Sequence, residues 1–370
     1  MKFFITTPFL MEKPVKFQLE RMGTEVSGVT EGRVYFNGDE NTLASVCVSI
    51  RAGDRVYLEI ASFNALSFDE LFDNITKINW AEIIDINGKI NVGAKCARSQ
   101  LMSVPDTQRI TKMAIIKSMQ RKYKKDRLPE TGAEYPIDVH IHNNKVTVAL
   151  DCCGAGLHKR GYRVKNAVAP LRETFASGLI DIAGFYGQTA FCDPFCGSGT
   201  LPIEAAMRAL NIAPGMNRTF IAENFKGFNK KAFDFARENA KNNVIDKEVK
   251  IFASDIDPEM VDMAKFHAKR AGVDKLITFS VSSAGDTFPK TEKGILLTNP
   301  PYGERIGDER YMQNLCFEIG TMLRNYKAYN QFILSGYKNL EKYAKIKADK
   351  TRRFYNGNIE CNLYNFFQKK

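Results

Sequence analysis

Three short polar segments carry the residues of this chain whose types could support chemistry, and each follows an apolar run typical of a buried strand. The segments are Asp193-Pro-Phe-Cys-Gly-Ser-Gly-Thr200, Asp255-Ile-Asp257-Pro and Asn299-Pro-Pro-Tyr302. Parallel sheets bind ligands at the carboxyl ends of their strands, so we expect the three segments at one sheet edge. Two carboxylates and an amide at that edge offer acceptors for an ammonium, a ribose diol and an exocyclic amine.

The first segment combines a carboxylate with two glycines at the start of a predicted helix. Gly197 and Gly199 allow the backbone to approach a ligand closely and to turn sharply. Asp193, at the strand end, can bind the ammonium of an amino-acid ligand, whereas a GxGxxG loop serves a pyrophosphate. We expect Phe195 and Thr200 to line the same site. A glycine-rich turn without a ligand is the alternative.

The second segment places Asp255 directly at the end of the next strand, where a carboxylate can accept hydrogen bonds from both ribose hydroxyls of a nucleoside. Asp255 lies 62 residues after Asp193, against about 20 in the dinucleotide fingerprint, which disfavours an NAD-linked enzyme. We include Ile256 and Asp257 in the same site, although Asp257 followed by Pro258 is also typical of a helix N-cap.

The third segment offers acceptors and an aromatic ring on a loop that two prolines stiffen. Asn299 and the Pro300 carbonyl can accept hydrogen bonds from an exocyclic amine, while Tyr302 can stack on a nucleobase. An ordinary Asn-Pro turn is the alternative. The order of all three segments on successive strands favours the catalytic interpretation.

The elements around these segments follow two patterns. Residues after about 178 alternate between apolar strands and helices, which indicates a parallel α/β sheet. Its predicted strands span residues 189–192, 250–254, 278–281, 294–298 and 331–335. Asn356-Gly357 between two strand-like runs predicts a terminal antiparallel hairpin. The first half, with short strands and a long amphipathic segment at 106–126, indicates an α+β module.

The charge predicts a polyanionic partner. The net charge is +11, and it is shared: residues 1–170 carry 24 basic against 19 acidic side chains, and the remainder 29 against 23. If that partner is a nucleic acid, the basic residues that we expect to contact its phosphates are Lys117, Arg121, Lys122, Lys124, Lys125, Arg160 and Arg163. A solvated helix face is the alternative for the run from Lys117 to Lys125.

The composition also disfavours several classes of protein. No run of about 18 apolar residues is present, so we expect no membrane span. Glu12 and Lys13 interrupt the apolar N-terminus, which predicts a first strand rather than a signal peptide. The eight cysteines include no CxxC pair, and the four histidines offer no zinc set. We therefore expect reduced thiols, no metal and a cytoplasmic location.

Together these residues resemble the amino-type class I S-adenosylmethionine (SAM) methyltransferases. Four longer segments are similar to the THUMP-domain RNA methyltransferases, specifically their 23S rRNA guanine-N2 branch: DCCGAGLHKRGYR at 151–163, APLRETFASGL at 169–179, TNPPYGERIG at 298–307 and ADKTRRFYNGNIEC at 348–361. The resemblance implies a ferredoxin-like subdomain (1–58) and a THUMP RNA-binding domain (59–160). It also implies a Rossmann-like methyltransferase domain (161–370), whose mixed seven-stranded sheet ends in an antiparallel hairpin.

The resemblance further implies SAM as cofactor, RNA as partner, either large-subunit rRNA or its assembly intermediate, and N2-methylguanosine as product. Its implied contacts are Asp193, Gly197 and Gly199 to SAM, Asp255 to the SAM ribose, and Asn299, Pro300 and Tyr302 to the target base. Family members often use an acidic residue after the third strand to bind the adenine; here Ser283 or Asp286 is expected in that role. A tRNA guanosine target, an adenine-N6 methyltransferase and a noncatalytic RNA-binding protein are the alternatives.

Overall fold

The computed structural model describes residues 1–163, 171–302, 309–357 and 359–367 and contains two seven-stranded sheets. The first sheet lies within residues 2–151, and the second within residues 190–366. The two sheets differ in how their strands are connected. The first is mostly antiparallel, and the second is mostly parallel with intervening helices.

The first sheet combines the ferredoxin-like and THUMP parts of the chain. Its strands are β1 (Lys2–Thr6), β2 (Val26–Thr30), β3 (Arg33–Asn37), β4 (Arg55–Asn64), β5 (Lys89–Ala97), β6 (Glu134–His142) and β7 (Lys145–Asp151). Their order is β2-β3-β1-β4-β7-β6-β5, and only β5 and β6 pair in parallel. Strand β4 pairs with both β1 and β7, so it crosses the expected boundary between residues 58 and 59 and joins both parts.

The helices of this half cover the sheet, and side-chain caps fix several of their starts. They are α1 (Glu12–Arg21), α2 (Glu40–Ser49), α3 (Phe68–Thr76), α4 (Trp80–Ile83) and α5 (Val104–Tyr123). The Asp39 carboxylate accepts the Thr42 backbone N–H at 2.8 Å and starts α2. Helix α5 buries a face that includes Thr107, Thr111 and Ala114, which leaves Met113 51% exposed.

The second sheet has the predicted Rossmann-like topology. Its strands are β8 (Ala190–Asp193), β9 (Ile251–Asp255), β10 (Ile277–Val281), β11 (Gly294–Thr298), β12 (Asn330–Ser335), β13 (Lys350–Asn356) and β14 (Ile359–Phe366). The order β10-β9-β8-β11-β12-β14-β13 places five parallel strands beside an antiparallel hairpin. The mixed seven-stranded sheet with a terminal hairpin is thus confirmed.

Helices cover both faces of this sheet because the side chains of a strand alternate between its faces. The helices are α6 (Glu173–Ala183), α7 (Thr200–Ala209), α8 (Lys230–Asn242), α9 (Pro258–Ala271), α10 (Glu309–Asn325) and α11 (Leu340–Ala344). Ile295 and Leu297 of β11 join the core that contains residues of α6, α7 and α9. Leu296 between them joins the core that contains residues of α10. The carboxyl edge of the sheet remains open.

Helix α8 and the segment before it pack against the first half of the chain instead. Phe220, Phe225 and Phe233 are buried in the same core as the ferredoxin-like and THUMP strands. The ring of Phe225 stacks on that of Tyr135, with centroids 5.2 Å apart. Helix α8 and the segment before it therefore pack the second half of the chain against the first.

Candidate active site

The three polar segments converge on one cavity of about 530 Å³ at the carboxyl edge of the second sheet. They follow β8, β9 and β11, which are neighbours across the sheet. The predicted site residues in its wall are Asp193, Phe195, Gly197, Thr200, Asp255, Ile256 and Asn299. Parallel neighbouring strands present their loops at the same edge, which is why segments far apart in sequence meet there.

Asp193 is the most enclosed carboxylate of the cavity, with 2% of its surface exposed. Its Oδ1 atom accepts hydrogen bonds from the Phe195 backbone N–H, at 3.2 Å, and from the Thr298 hydroxyl. Burial raises the pKa of Asp193 to about 7 despite these two bonds. A cationic ligand group beside this carboxylate would stabilise its ionised form.

Glycine is required at two positions of the first segment, for a different structural reason at each. Both have a left-handed backbone, with φ of +49° at Gly197 and +88° at Gly199. A Cβ atom at Gly199 would lie 2.9 Å from the Cβ of Ala264, so close helix packing requires glycine there. A Cβ at Gly197 would meet nothing within 4 Å. The demand at Gly197 therefore comes from its backbone conformation.

Asp255 connects the first two segments. One of its carboxylate oxygens accepts the Gly197 N–H at 2.8 Å, and the other accepts the Asp257 N–H at 3.1 Å. Asp257 itself accepts the Glu259 N–H at 2.8 Å, which makes it the N-cap of α9, and it is outside the cavity wall. The cap interpretation of Asp257 is thus confirmed. Ile256 is 69% exposed beside the cavity and offers it an apolar surface.

The third segment contributes an unpaired acceptor. The Oδ1 atom of Asn299 is buried and has no hydrogen-bond partner in the part of the chain that the structure describes. Pro301 lines the cavity, whereas Pro300 and Tyr302 do not. The hydroxyl of Tyr302 accepts a hydrogen bond from Asn356 Nδ2 at 3.1 Å. Tyr302 is therefore held by the terminal hairpin, and residues 303–308 beyond it lie outside the described residues.

We expected Ser283 or Asp286, which follow β10, to bind the adenine. On this side of the cavity, however, the carboxylate in the wall comes from helix α10. Glu318 lines the cavity, and its Oε1 atom accepts the Ser283 hydroxyl at 2.5 Å and the Gly285 N–H at 3.2 Å. Ser283 and Asp286 are outside the cavity wall, and Asp286 is exposed. Sequence reasoning missed Glu318 because a single Glu within a long helix has no motif; only tertiary packing brings it to the loop.

The cationic residues expected to contact RNA fall into two groups. Those at the end of α5 are exposed: Lys117, Arg121, Lys122, Lys124 and Lys125. The side chain of Arg160 is only 2% exposed, lies 3.5 Å from a Glu204 oxygen and donates to the Arg51 and Leu157 carbonyls. Burial against these acceptors leaves little of the Arg160 guanidinium exposed, and its contact with RNA stays a prediction.

Arg163 is also largely enclosed, with 15% of its side chain exposed. It donates to the Thr200 hydroxyl at 2.5 Å and to the Leu171 carbonyl at 3.2 Å, and it lies 3.5 Å from Glu173. Its contacts thus lead to the first turn of α7, where the cavity loop ends. The contact of Arg163 with RNA stays a prediction; its Nη2 atom is engaged inside the protein, and its Nε atom has no hydrogen-bond partner among the described residues.

The fold and the site define a class I SAM-dependent methyltransferase. Residues 160–365 match the UPF0020 family, the RMKL-like methyltransferase domain, and the chain belongs to this family. Residues 2–57 match the RlmL ferredoxin-like domain, and residues 65–151 match the THUMP domain. The recognised family and the RNA-binding architecture are therefore confirmed.

Two relatives are similar to this chain over nearly its whole length. "Putative RNA methyltransferase YpsC" of Bacillus subtilis (strain 168) is 38% identical over 367 residues, covering 98% of this chain and 95% of the relative. "Ribosomal RNA large subunit methyltransferase K/L" of Psychromonas ingrahamii is 32% identical over 375 residues, covering 99% of this chain. This chain spans 50% of that second relative.

A solved structure, that of SMU.472 complexed with SAH, superimposes with a TM-score of 0.94 at 32% identity and covers 100% of this chain and 98% of that one. SAM is therefore the cofactor, and the chain is a SAM-dependent methyltransferase of the RMKL-like family. Within the described residues, no helix is long and apolar enough to cross a membrane.

Proposed function

We propose that this chain transfers the methyl group of SAM to the exocyclic N2 of a guanosine in 23S rRNA. The observation that carries the proposal is the Oδ1 atom of Asn299, a buried acceptor that has no donor among the described residues, in a residue that lines the cofactor cavity. A buried acceptor costs free energy unless a donor reaches it. The amino group of a nucleobase is such a donor, and the name of the large-subunit relative supports rRNA as its source.

The residues present fit the cofactor. Asp193 has the buried carboxylate that an ammonium would keep ionised, and it would hold the amino-acid end of SAM. Asp255 would accept the ribose hydroxyls, while Ile256 and Phe195 would flank the adenine with apolar surface. When bound, SAM supplies an electrophilic methyl group on its sulfonium.

The target nitrogen needs help from the protein because its lone pair is delocalised into the guanine ring. Asn299 Oδ1 and the Pro300 carbonyl would accept hydrogen bonds from its two N–H groups, which favours a pyramidal nitrogen with its lone pair directed at the methyl group. Catalysis would then come from positioning and from dipoles fixed before the reaction. Tyr302 would stack on the base once the Asn356 contact opens.

The first half of the chain would capture the RNA. We assign residues 1–58 to the ferredoxin-like subdomain, 59–160 to the THUMP domain and 161–370 to the methyltransferase domain. The exposed cations at the end of α5, with Lys122, Lys124 and Lys125 among them, would bind phosphates. The target guanosine must leave its stack to enter the cavity, at a cost of a few kcal/mol.

The test is methylation of RNA from cells that lack this protein, with methyl-labelled SAM and separated large-subunit, small-subunit and tRNA pools. Each pool is digested to nucleosides and analysed by mass spectrometry. We expect label in N2-methylguanosine from the large-subunit pool. Label in N6-methyladenosine would overturn the base assignment, and label in tRNA would overturn the RNA assignment. Absence of SAM binding by calorimetry would instead support the noncatalytic alternative.

A further inference from the structure

A second cavity, of about 510 Å³, lies where α1 and α2 of the ferredoxin-like part meet α7 and α8. Four cationic side chains line it: Arg21, Arg51, Arg208 and Lys247. Among the described residues in its wall there is no Asp or Glu, and Asn239 and Asn243 add neutral polar groups. A concave surface with one sign of charge concentrates counter-ions of the other sign.

Arg51 has a buried guanidinium nitrogen that a ligand could satisfy. It is 3% exposed, and its Nη1 atom is buried without a hydrogen-bond partner in the described part of the chain. Its backbone N–H donates to Gln18 Oε1 and its carbonyl accepts from Arg160, which leaves the Nη1 atom of the guanidinium unpaired. Burial, with Arg208 nearby, lowers the pKa of Arg51 to about 9. An unpaired buried charge is strongly destabilising unless a counter-ion reaches it.

The other cations are held in fixed positions around it. Arg208 contacts Asp181 at 2.9 Å through Nε, while its Nη2 atom is buried without a partner. The ring of Tyr186 contacts the guanidinium groups of both Arg21 and Arg208, which are 4.7 and 4.5 Å from its centroid. Lys247 donates to the Tyr186 carbonyl at 2.8 Å. Donors that are already positioned lose little entropy when they bind an anion.

We infer that this interdomain cavity is a phosphate-binding site, which takes the phosphate of a free phosphorylated small molecule or of an RNA backbone. Two unpaired guanidinium nitrogens match the multiple oxygens of a phosphate, which arginine recognises in bidentate fashion. Of the two carboxylates that attract the Arg51 guanidinium, Glu204 and Asp181, Asp181 already accepts hydrogen bonds from Gln18 and Arg208, and Glu204 accepts hydrogen bonds from Tyr162 and Ser177. The wall of the cavity therefore carries four cationic side chains and, among its described residues, no acidic one.

The test is thermal unfolding of the full chain in phosphate-free buffer at constant ionic strength, with increasing pyrophosphate and, separately, a short oligoribonucleotide. No SAM is present, so the result does not depend on the proposed methyl transfer. A ligand that binds only the folded state raises the midpoint. We expect a saturating rise for the wild type. A free phosphorylated ligand predicts tighter binding of pyrophosphate, and an RNA backbone predicts tighter binding of the oligoribonucleotide.

Arg51→Met should abolish the rise with pyrophosphate and reduce the rise with the oligoribonucleotide, which the α5 lysines also bind. The midpoint in phosphate-free buffer should stay at or above the wild-type value, since the variant lacks a buried charge with an unpaired nitrogen. Lys247→Gln should weaken binding about tenfold through the loss of one charge-assisted bond, and it keeps the test valid if the Arg51 variant fails to fold. Lys241→Gln, on α8 but outside the cavity wall, is the matched control and should bind as the wild type does. Equal midpoint shifts in the wild type and the Lys247 variant, or no shift with either ligand, would overturn the inference.

Discussion

The cofactor cavity and the interdomain cavity are of similar volume but arise from the sequence in different ways. The cofactor cavity of about 530 Å³ is built by loops that directly follow β8, β9 and β11. The interdomain cavity of about 510 Å³ draws its four cations from positions between Arg21 and Lys247, on both halves of the chain. Local segments specify the first, and only tertiary packing specifies the second. The comparison teaches that motif reasoning finds sites at strand ends and misses sites between domains.

The largest effect should follow from removing the unpaired acceptor of the cofactor cavity. Asn299→Ala should lower single-turnover methyl transfer by about 100- to 1,000-fold, the usual cost of losing one preorganised catalytic hydrogen bond. The SAM dissociation constant should change little. Asn314→Ala, which alters another asparagine of the same cavity wall, is the control and should retain transfer. Equal rates in the wild type and the Asn299 variant would remove Asn299 from the reaction.

A smaller effect, on binding, should follow from changing the buried carboxylate. Asp193→Asn should raise the SAM dissociation constant about 10- to 100-fold, because it removes a charge-assisted contact to the ammonium. Asp257→Asn, which alters the N-cap of α9 outside the cavity wall, should leave that constant nearly unchanged. Calorimetric titration measures both. If the two variants bind SAM equally well, the ammonium has another partner.

The pH dependence of the wild type provides an independent check of the same carboxylate. The pKa of Asp193 is about 7 in the folded chain, above its value when unfolded. Asp193 is therefore protonated below pH 7, and SAM affinity should fall as the pH is lowered from 7.5 to 5.5. Without SAM, this group makes the free energy of unfolding decrease as pH rises from about 4 to 7, since the folded state holds the extra proton. A flat affinity profile would contradict this.

Variants of Glu318, a cavity residue that no sequence motif indicated, test whether its side chain positions the neighbouring loop or binds the cofactor directly. Glu318→Ala should weaken SAM binding about tenfold or less, because the loop that carries Ser283 and Gly285 loses its acceptor. Glu318→Gln keeps an oxygen that can accept both bonds, so it should bind nearly as well as the wild type if Glu318 acts by positioning the loop. A loss as large in the glutamine variant would mean that the charge itself binds the cofactor.

The smallest effect is expected on the RNA-binding surface. Replacing Lys122, Lys124 and Lys125 together by Gln should weaken RNA binding modestly. It should also make the slope of log K against log salt less steep by about 0.7 to 0.9 per lost phosphate contact. Neutralising Lys338, Lys345 and Lys347 in the second half is the charge-matched control. An unchanged slope in the α5 variant would assign those lysines to a solvated helix face.

The sequence predicted the second sheet well because its strands are short apolar runs that end in turn signals. The predicted strand 294–298 coincides with β11 (Gly294–Thr298), and the Asn356-Gly357 turn joins β13 to β14. The first half was predicted less completely. Its short strands were expected only in general, and β5 (Lys89–Ala97) has no clear signal in the sequence, because its residues are mostly half-buried or exposed and do not alternate cleanly between apolar and polar.

The interdomain contacts were the part that sequence reasoning could not supply. Arg160 carries the same charge as the exposed lysines of α5. The residues that flank it in the sequence do not indicate that Glu204 lies next to it in the folded chain. Arg51 likewise gave no local signal, since an arginine near the end of a helix is ordinary. Burial depends on tertiary packing. Composition favours an exposed position for a charged residue, and only the folded structure shows which charged residues are buried instead.

The most direct test of the account replaces the target guanosine, once it has been mapped, by inosine in an otherwise identical RNA. Inosine lacks only the exocyclic N2 amine, so the substrate keeps its phosphates, its shape and its remaining base edge. Methyl transfer from labelled SAM is then measured at single turnover for both RNAs. The account predicts transfer to guanosine and none to inosine. Transfer to the inosine RNA at an undiminished rate would contradict it.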